Sequence, residues 1–249
     1  MTLQGKRFVV TGAARGMGAS ISRAFVANGA TVARLDVNID PAIMDEPGSF
    51  SLHCDVSSRS EVVSAFRSVA ELVGGIDGLV HAAGVERRSP AESIDDEEWN
   101  EIIDVNLRGT FLTNQAVFPY LQDHGGRIIN FGSDAGVSAH PFGAHYAASK
   151  GGVIAWTRTI AQEWGRYGIT ANTVLPAIWT PMYAEYRAKL SADELERHDA
   201  GMSVRIPIDG RLGDPDRDLA PVVVFLASDA SRFVSGQLSS VNGGLGTTR

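Results

Sequence analysis

The sequence predicts an α/β fold, a parallel sheet covered by helices on both faces, and three observations predict it. Short apolar runs alternate with segments of helical length along the chain. A glycine-rich turn follows the first run and opens the first helix. No Pro/Ser linker, repeat or low-complexity tract divides the 249 residues, so residues 1–249 read as one domain. In order, residues 8–10 read as a strand and 16–28 as a helix, its apolar positions recurring at helical spacing. Further strands fall at 31–35, 50–54, 78–81 and 127–131, with helices at 58–73, 96–122 and 146–166. A strand at 169–175, a last helix at 215–228 and a last strand at 237–241 complete the alternation. The polar, helix-prone stretch 182–200 interrupts it, and residues 182–207 read either as a lid or binding loop or as an extra helix.

The bulk properties exclude several classes. With 44% hydrophobic and 20% charged residues, the chain is neither disordered nor collagen-like. Its apolar stretches fall far short of the ~20 residues needed to cross a bilayer, and MTLQGKRFVV shows no signal-peptide core. A net charge of -7 disfavours nucleic-acid and anionic-membrane partners. The single cysteine, Cys54, excludes an internal disulfide, fits a reducing cytoplasm and reads as a small buried hydrophobe. Glycine is in surplus, 27 of 249 or about 11% against an average of roughly 7%. Of the 22 basic residues only Lys6, Lys150 and Lys189 are lysine, which singles each of them out.

Thr11-Gly12-Ala13-Ala14-Arg15-Gly16-Met17-Gly18 follows the first predicted strand. Glycines there let the backbone turn sharply and approach a pyrophosphate, which sits on the positive end of the following helix. The spacing, G-x-x-x-G-x-G, differs from the commoner dinucleotide fingerprint, and a plain tight turn is the competing explanation. Asp36 ends the second predicted strand, where a carboxylate accepts hydrogen bonds from ribose hydroxyls and repels a 2′-phosphate. Arg15 pulls the other way, as a guanidinium that could take a phosphate. The balance favours NAD over NADP.

Tyr146 and Lys150 lie four residues apart near the start of a predicted helix, on one face and one turn apart. An ammonium beside a phenol stabilises the phenolate, and lowering its pKa by ~3 units requires about 4 kcal/mol. Ser133 stands at the end of a predicted strand, where ligands of parallel sheets gather.

Together these segments resemble the compact branch of the short-chain dehydrogenase/reductase family over nearly the whole chain. TGAARGMG (with Gly12, Arg15, Gly16, Met17 and Gly18) matches that family's cofactor turn, and Asp36 its NAD-selecting acid. Asp55 and Val56 match its strand-end aspartate motif near the adenine, and Asn106, Ser133, Tyr146 and Lys150 its catalytic residues. The resemblance implies a Rossmann-type doubly wound fold with a seven-stranded parallel sheet and three helices on each face, assembled as a homotetramer or homodimer. It also implies hydride transfer between NAD and a secondary alcohol or ketone. Tyr146 would act as acid and base, Lys150 would lower its pKa and hold the ribose, Ser133 would polarise the substrate oxygen, and Asn106 would hold a water linking Lys150 to solvent.

Three departures stand out. The family's N-N-A-G is His81-Ala82-Ala83-Gly84; Ala83 and Gly84 keep a small backbone beside the cofactor, and His81 reads as structural. The stretch Pro176-Ala177-Ile178-Trp179-Thr180 is one residue short and lacks its glycine, leaving open which amide of the Pro176, Ile178 and Thr180 region meets the nicotinamide. The terminal V-D-G-G is Val241-Asn242-Gly243-Gly244. For the substrate the sequence offers Asp134, His140, Phe142, His145, Trp179, Met182, Tyr183 and Tyr186, an aromatic-rich set suggesting a largely apolar secondary alcohol or ketone, and no metal site. The competing functions are a 3-oxoacyl-(acyl-carrier-protein)-type ketoreductase and a non-catalytic NAD-sensing binder. A lyase or epimerase on the same scaffold usually needs a longer chain.

Overall fold

The computed structural model describes residues 2–39 and 47–246. Its seven strands are β1 (Arg7–Thr11), β2 (Thr31–Asp36), β3 (Ser49–His53), β4 (Gly78–His81), β5 (Gly126–Phe131), β6 (Ile169–Pro176) and β7 (Leu238–Val241). All neighbouring pairs are parallel, in the order β3-β2-β1-β4-β5-β6-β7. The helices are α1 (Gly16–Ala27), α2 (Arg59–Val73), α3 (Asp96–Ile102), α4 (Gly109–Leu121), α5 (Ala144–Trp164), α6 (Pro181–Arg187), α7 (Ala192–Arg205) and α8 (Ala220–Ala227).

Strand alternation divides the core into two. Phe8 and Val10 of β1, Val80 and Ile129 pack with Ile21 and Phe25 of α1 and Val223 of α8 on one face. Val9, Leu79 and Ile128 pack with Phe66 of α2, Leu112 of α4 and Ile160 of α5 on the other. Because consecutive side chains of a strand point to opposite faces, both layers are fixed by the same short apolar runs. The resemblance implied three helices on each face; among the described residues the first face carries two.

The structure differs from the sequence reading in three helical regions. The single helix expected over 96–122 is α3, a wide π-type turn over Ile103–Arg108, and α4. That turn seats the fully buried Asn106, whose amide bonds to the backbone of Val85. The helix expected over 215–228 opens with a similar wide turn at Pro215–Leu219, ahead of α8. Residues 182–200 form parts of two helices. The Thr180 hydroxyl caps α6, and a Ser191–Glu194 capping box starts α7. Among the described residues, no helix is long and apolar enough to cross a membrane, and no group of three or more His, Cys, Asp or Glu is placed to hold a metal ion.

Candidate active site

The strand order reverses direction beside β1, between β1 and β4, and the carboxyl ends of those strands form the crevice where ligands bind in doubly wound sheets. Two glycines make the crevice narrow enough. A Cβ on Gly12 would lie 2.7 Å from the Ala83 backbone, and one on Gly18 would lie 2.3 Å from the Gly12 carbonyl oxygen. Gly12 and Gly16 also adopt φ of +65° and +60°, which side-chain-bearing residues rarely reach. Arg15 occupies the N-cap of α1 without a capping side-chain bond, and the helix's first turn carries no acid, so its positive end is open to an anion. Met17 packs against the core below the turn.

Asp36 braces this turn. Its Oδ2 accepts from the Ala14 amide at 3.0 Å and its Oδ1 from the Asn38 amide at 2.9 Å, and each oxygen retains a lone pair for a further donor. Arg15 does not turn toward Asp36 but pairs with Glu185 of α6 at 2.6 Å. Asp55 closes its own turn, its Oδ1 accepting from the Ser57 amide and hydroxyl, while Val56 is buried against Gly109.

The helix α5 brings the catalytic candidates together. Tyr146 and Lys150 project from adjacent turns, with Lys150 Nζ 5.8 Å from the Tyr146 ring centre, and the Ser133 hydroxyl lies near enough to the phenol to draw its pKa down. Lys150 donates to the Phe131 carbonyl at the end of β5 at 2.9 Å. Burial brings its ammonium pKa down to about 8, against the pull of the Glu86 carboxylate. The Tyr146 phenol is densely surrounded by protein yet keeps part of its residue surface open to solvent. Burial pushes it well above the ordinary phenol range, Glu86 adds to this, and the Ser133 bond draws it back. A Cβ on Gly84 would lie 3.1 Å from Asn106 Oδ1 and 3.5 Å from Lys150 Nζ, so these two polar groups border one point. The Asn106 amide also donates to Ser149 at 3.1 Å.

His81 stands where the resemblance expects asparagine. Its Nδ1 lies 3.0 Å from the Thr11 hydroxyl and 3.1 Å from that of Thr113, bracing β1 and α4 as the missing amide would. Its Nε2 is buried with no hydrogen-bond partner among the described residues. Cys54 is buried, and burial first, then the charges of Glu61 and Asp55, push its thiol up to about 12, which leaves it inert.

The residues expected in the substrate pocket fall into three groups. The His140 ring lies tilted against the Tyr146 ring at 5.7 Å, and Phe142, in the left-handed region at φ 64°, is exposed nearby in the chain. Trp179, Tyr183 and Tyr186 cluster with His198, whose Nε2 lies 2.7 Å from the Tyr183 hydroxyl, and Arg187 covers Trp179 and Tyr183. Met182 is exposed on α6. Asp134 and His145 are engaged elsewhere. Asn242 donates to both Asp134 oxygens, and His145 is fully buried and bonded to Glu98 of α3 at 3.0 Å.

After β6, the Ala177 amide donates to Val241 and the Trp179 amide to Gly213, while Ile178 pairs with Gly213 in a parallel bridge. In a parallel bridge the bonds to the partner come from the flanking residues, so the Ile178 amide points the opposite way. Pro176 ends β6 opposite Val241, and Thr180 caps α6.

One residue that the sequence reading missed stands in the middle of these groups. Glu86 accepts from His140 at 3.1 Å and faces Arg88 at 3.5 Å; Arg88 in turn covers the Tyr186 ring at 5.5 Å. The contacts Tyr146–His140–Glu86–Arg88–Tyr186 therefore join the catalytic helix to α6. Its signal in the sequence was a carboxylate two residues after Gly84, in a strand-end loop.

Comparison with known proteins agrees with this arrangement. A family model described as Enoyl-(Acyl carrier protein) reductase matches residues 12–246. The chain is 36% identical to the 3-oxoacyl-(acyl-carrier-protein) reductase FabG of Thermotoga maritima, covering 98% of this chain and 99% of that protein. It is 38% identical to the D-threitol dehydrogenase of Mycolicibacterium smegmatis, covering 97% and 93%. Levodione reductase superposes with a TM-score of 0.89 at 28% identity, over 97% of each chain. A Sinorhizobium meliloti 1021 protein described as a short-chain alcohol dehydrogenase superposes with a TM-score of 0.90 at 33% identity, over 98% of this chain and 97% of that one. The chain belongs to the short-chain dehydrogenase/reductase family, oxidoreductases that work with a nicotinamide cofactor.

Proposed function

We propose that this oxidoreductase is an NAD-dependent dehydrogenase that interconverts a secondary alcohol and a ketone, with Tyr146 as general acid and base. The observation that carries this reading is the convergence of Tyr146, Lys150 and Ser133, with Lys150 Nζ 5.8 Å from the Tyr146 ring centre, beside a glycine turn braced by Asp36. The turn fits a dinucleotide: Gly12 and Gly18 let it fold tightly against the Ala83 backbone and onto the start of α1, where the helix terminus offers uncapped amides to a pyrophosphate. Asp36, with lone pairs left on both oxygens, is suited to the adenosine ribose and unsuited to a 2′-phosphate. The pairing of Arg15 with Glu185 supports the same choice, because it occupies the one basic group of the turn. Asp55, Val56, Ala83 and Gly84 would border the nucleotide, and Pro176, Ile178 and Thr180 would hold its nicotinamide end.

Bound NAD supplies the hydride acceptor, and its reduced form the donor. The rest is the work of side chains. Ser133 donates to the substrate oxygen and holds it against the phenol. Tyr146 removes the alcohol proton, or returns it to the ketone. The Lys150 ammonium, fixed by the Phe131 carbonyl, stabilises the phenolate that burial alone would forbid. The point at Gly84 shared by Asn106 Oδ1 and Lys150 Nζ suits a water that passes the proton outward. Trp179, Met182, Tyr183 and Tyr186, within residues 182–207 and just before them, form the outer wall with Phe142. His145 and Asp134, committed to Glu98 and Asn242, act as supports of that wall. The family resemblance and the lone cysteine support a homotetramer or homodimer in the cytoplasm.

A second reading, reduction of acyl-carrier-protein thioesters, is favoured by the 36% identity to FabG. The absorbance of the reduced nicotinamide, followed with simple secondary alcohols and with each cofactor, tests the choice. Turnover with NAD at least about tenfold more efficient than with NADP is expected, a difference of about 1.4 kcal/mol. Equal use of both cofactors contradicts the Asp36 argument, and absence of turnover favours a binder without catalysis.

A further inference from the structure

The two loops that flank Tyr146 are bound to each other. The Ser89 amide of the loop after β4 donates to the Phe142 carbonyl of the loop after β5 at 2.8 Å, and His140 Nε2 lies 3.1 Å from Glu86 Oε1. An ionised carboxylate only accepts, so Nε2 carries the hydrogen. The backbone is shaped around this pair: a Cβ on Gly143 would lie 2.3 Å from His140 Cδ2, and Phe142 is held at a φ of 64°. The His140 ring in turn lies tilted against the Tyr146 ring at 5.7 Å. Burial opposes ionisation of Glu86, but His140 and Arg88 outweigh it and hold the carboxyl below its usual range.

Both of those partners fall on one oxygen. His140 and Arg88 make their nearest approach to Oε1, and Oε2 accepts no hydrogen bond from the described residues. The side chain is 30% exposed, so it is open to solvent until a substrate covers it. From then on the carboxylate needs a donor, and His140, between Glu86 and the Tyr146 ring, ties that need to the site where Tyr146 would act.

We propose that Glu86, oriented by His140, is a specificity-determining residue that accepts a hydrogen bond from a hydroxyl adjacent to the reacting carbinol, so that the substrates are uncharged vicinal diols or polyols and the matching α-hydroxy ketones. The inference rests on Tyr146 being the acid and base. It replaces the largely apolar substrate suggested by the aromatic residues, because the wall nearest the phenol is polar. A 3-oxoacyl thioester offers only carbonyl oxygens at this position and would leave Oε2 facing an acceptor. Sites built to hydrogen-bond a hydroxyl discriminate strongly against analogues that lack it.

The test compares matched substrates with NAD: isopropanol against propylene glycol, and cyclohexanol against its vicinal diol. In reverse, with NADH, acetoin is compared with the acetoacetyl thioester of N-acetylcysteamine. The expected kcat/KM favours each hydroxylated partner by about tenfold or more. Glu86→Ala brings the diol-to-alcohol ratio toward one, chiefly through the KM of the diol. Glu86→Gln keeps an intermediate ratio, since its amide still meets the hydroxyl. A ratio near one in the unaltered protein overturns the inference, whatever the variants do, as does preference for the thioester over acetoin or a ratio that Glu86→Ala leaves in place. Turnover of isopropanol without preference for the diol sinks this inference alone, whereas no turnover of any substrate sinks the dehydrogenase reading with it. Should Glu86→Ala fail to fold, the ratios of the unaltered protein and of Glu86→Gln decide.

Discussion

Replacing His81 with asparagine, the residue found there in relatives by family resemblance, should protect the protein against mild acid. The His81 ring is buried, its Nδ1 between Thr11 and Thr113 and its Nε2 without a hydrogen-bond partner among the described residues. Protonation would put a charge and an unpaired N–H in a dry space. Burial first, and then the charge of Lys150, bring its pKa down to about 3. In the unfolded chain the value is ordinary, about 6.5. Since the folded value is the lower one, the unfolded chain takes up the proton first as pH falls. The stability that neutral His81 contributes is therefore complete above about pH 6.5 and is lost steadily toward pH 3. Between about pH 7.5 and pH 5 the loss is about 1.5 units at 1.36 kcal/mol each, or about 2 kcal/mol. Urea unfolding of the unaltered protein and of His81→Asn at both pH values isolates this, because every other titrating group cancels in the difference. His81→Asn should lose about 2 kcal/mol less than the unaltered protein. Equal losses in the two proteins would refute a neutral, buried His81.

Three further outcomes follow from the site. Asp36→Ala should weaken NAD binding about tenfold and narrow the preference over NADP, measured by fluorescence titration with both reduced cofactors; undiminished preference would place the selecting group elsewhere. Gly18→Ala drives a Cβ against the Gly12 carbonyl and should cost about 1–3 kcal/mol in thermal or denaturant unfolding and abolish the stabilisation that NADH gives the native protein. Cys54 should resist iodoacetamide in the native protein at about pH 8 and react on unfolding in urea, and rapid native labelling would contradict its burial.

The sheet and the first helices were legible because each depends on local patterning: apolar runs set the strands, and glycine placement set the turn after β1. Tyr146 and Lys150 fall on one face because a four-residue spacing fixes a helix face, and Ser133 stands just past a strand end that an apolar run marks. What the sequence hid was long-range pairing. Glu86 and His140 are 54 residues apart, and only the joining of two strand-end loops brings them together. The wide turn at Ile103–Arg108 has no propensity signal, because Asn106 enters the core to bond Val85, a partner from another loop. His145 was misleading through sequence proximity: one residue from Tyr146 on a helix is about 100° around it, which aims the ring at Glu98. Asp134, next to Ser133, turns to Asn242 near the end of the chain.

Tyr146→Phe tests the central claim most directly, because it removes one oxygen and leaves the ring packed against His140. Turnover of the best alcohol should fall by about a thousandfold or more, while NADH still binds within about threefold of the unaltered affinity. Turnover within about tenfold of the unaltered protein, with NADH bound, would contradict Tyr146 as the acid and base.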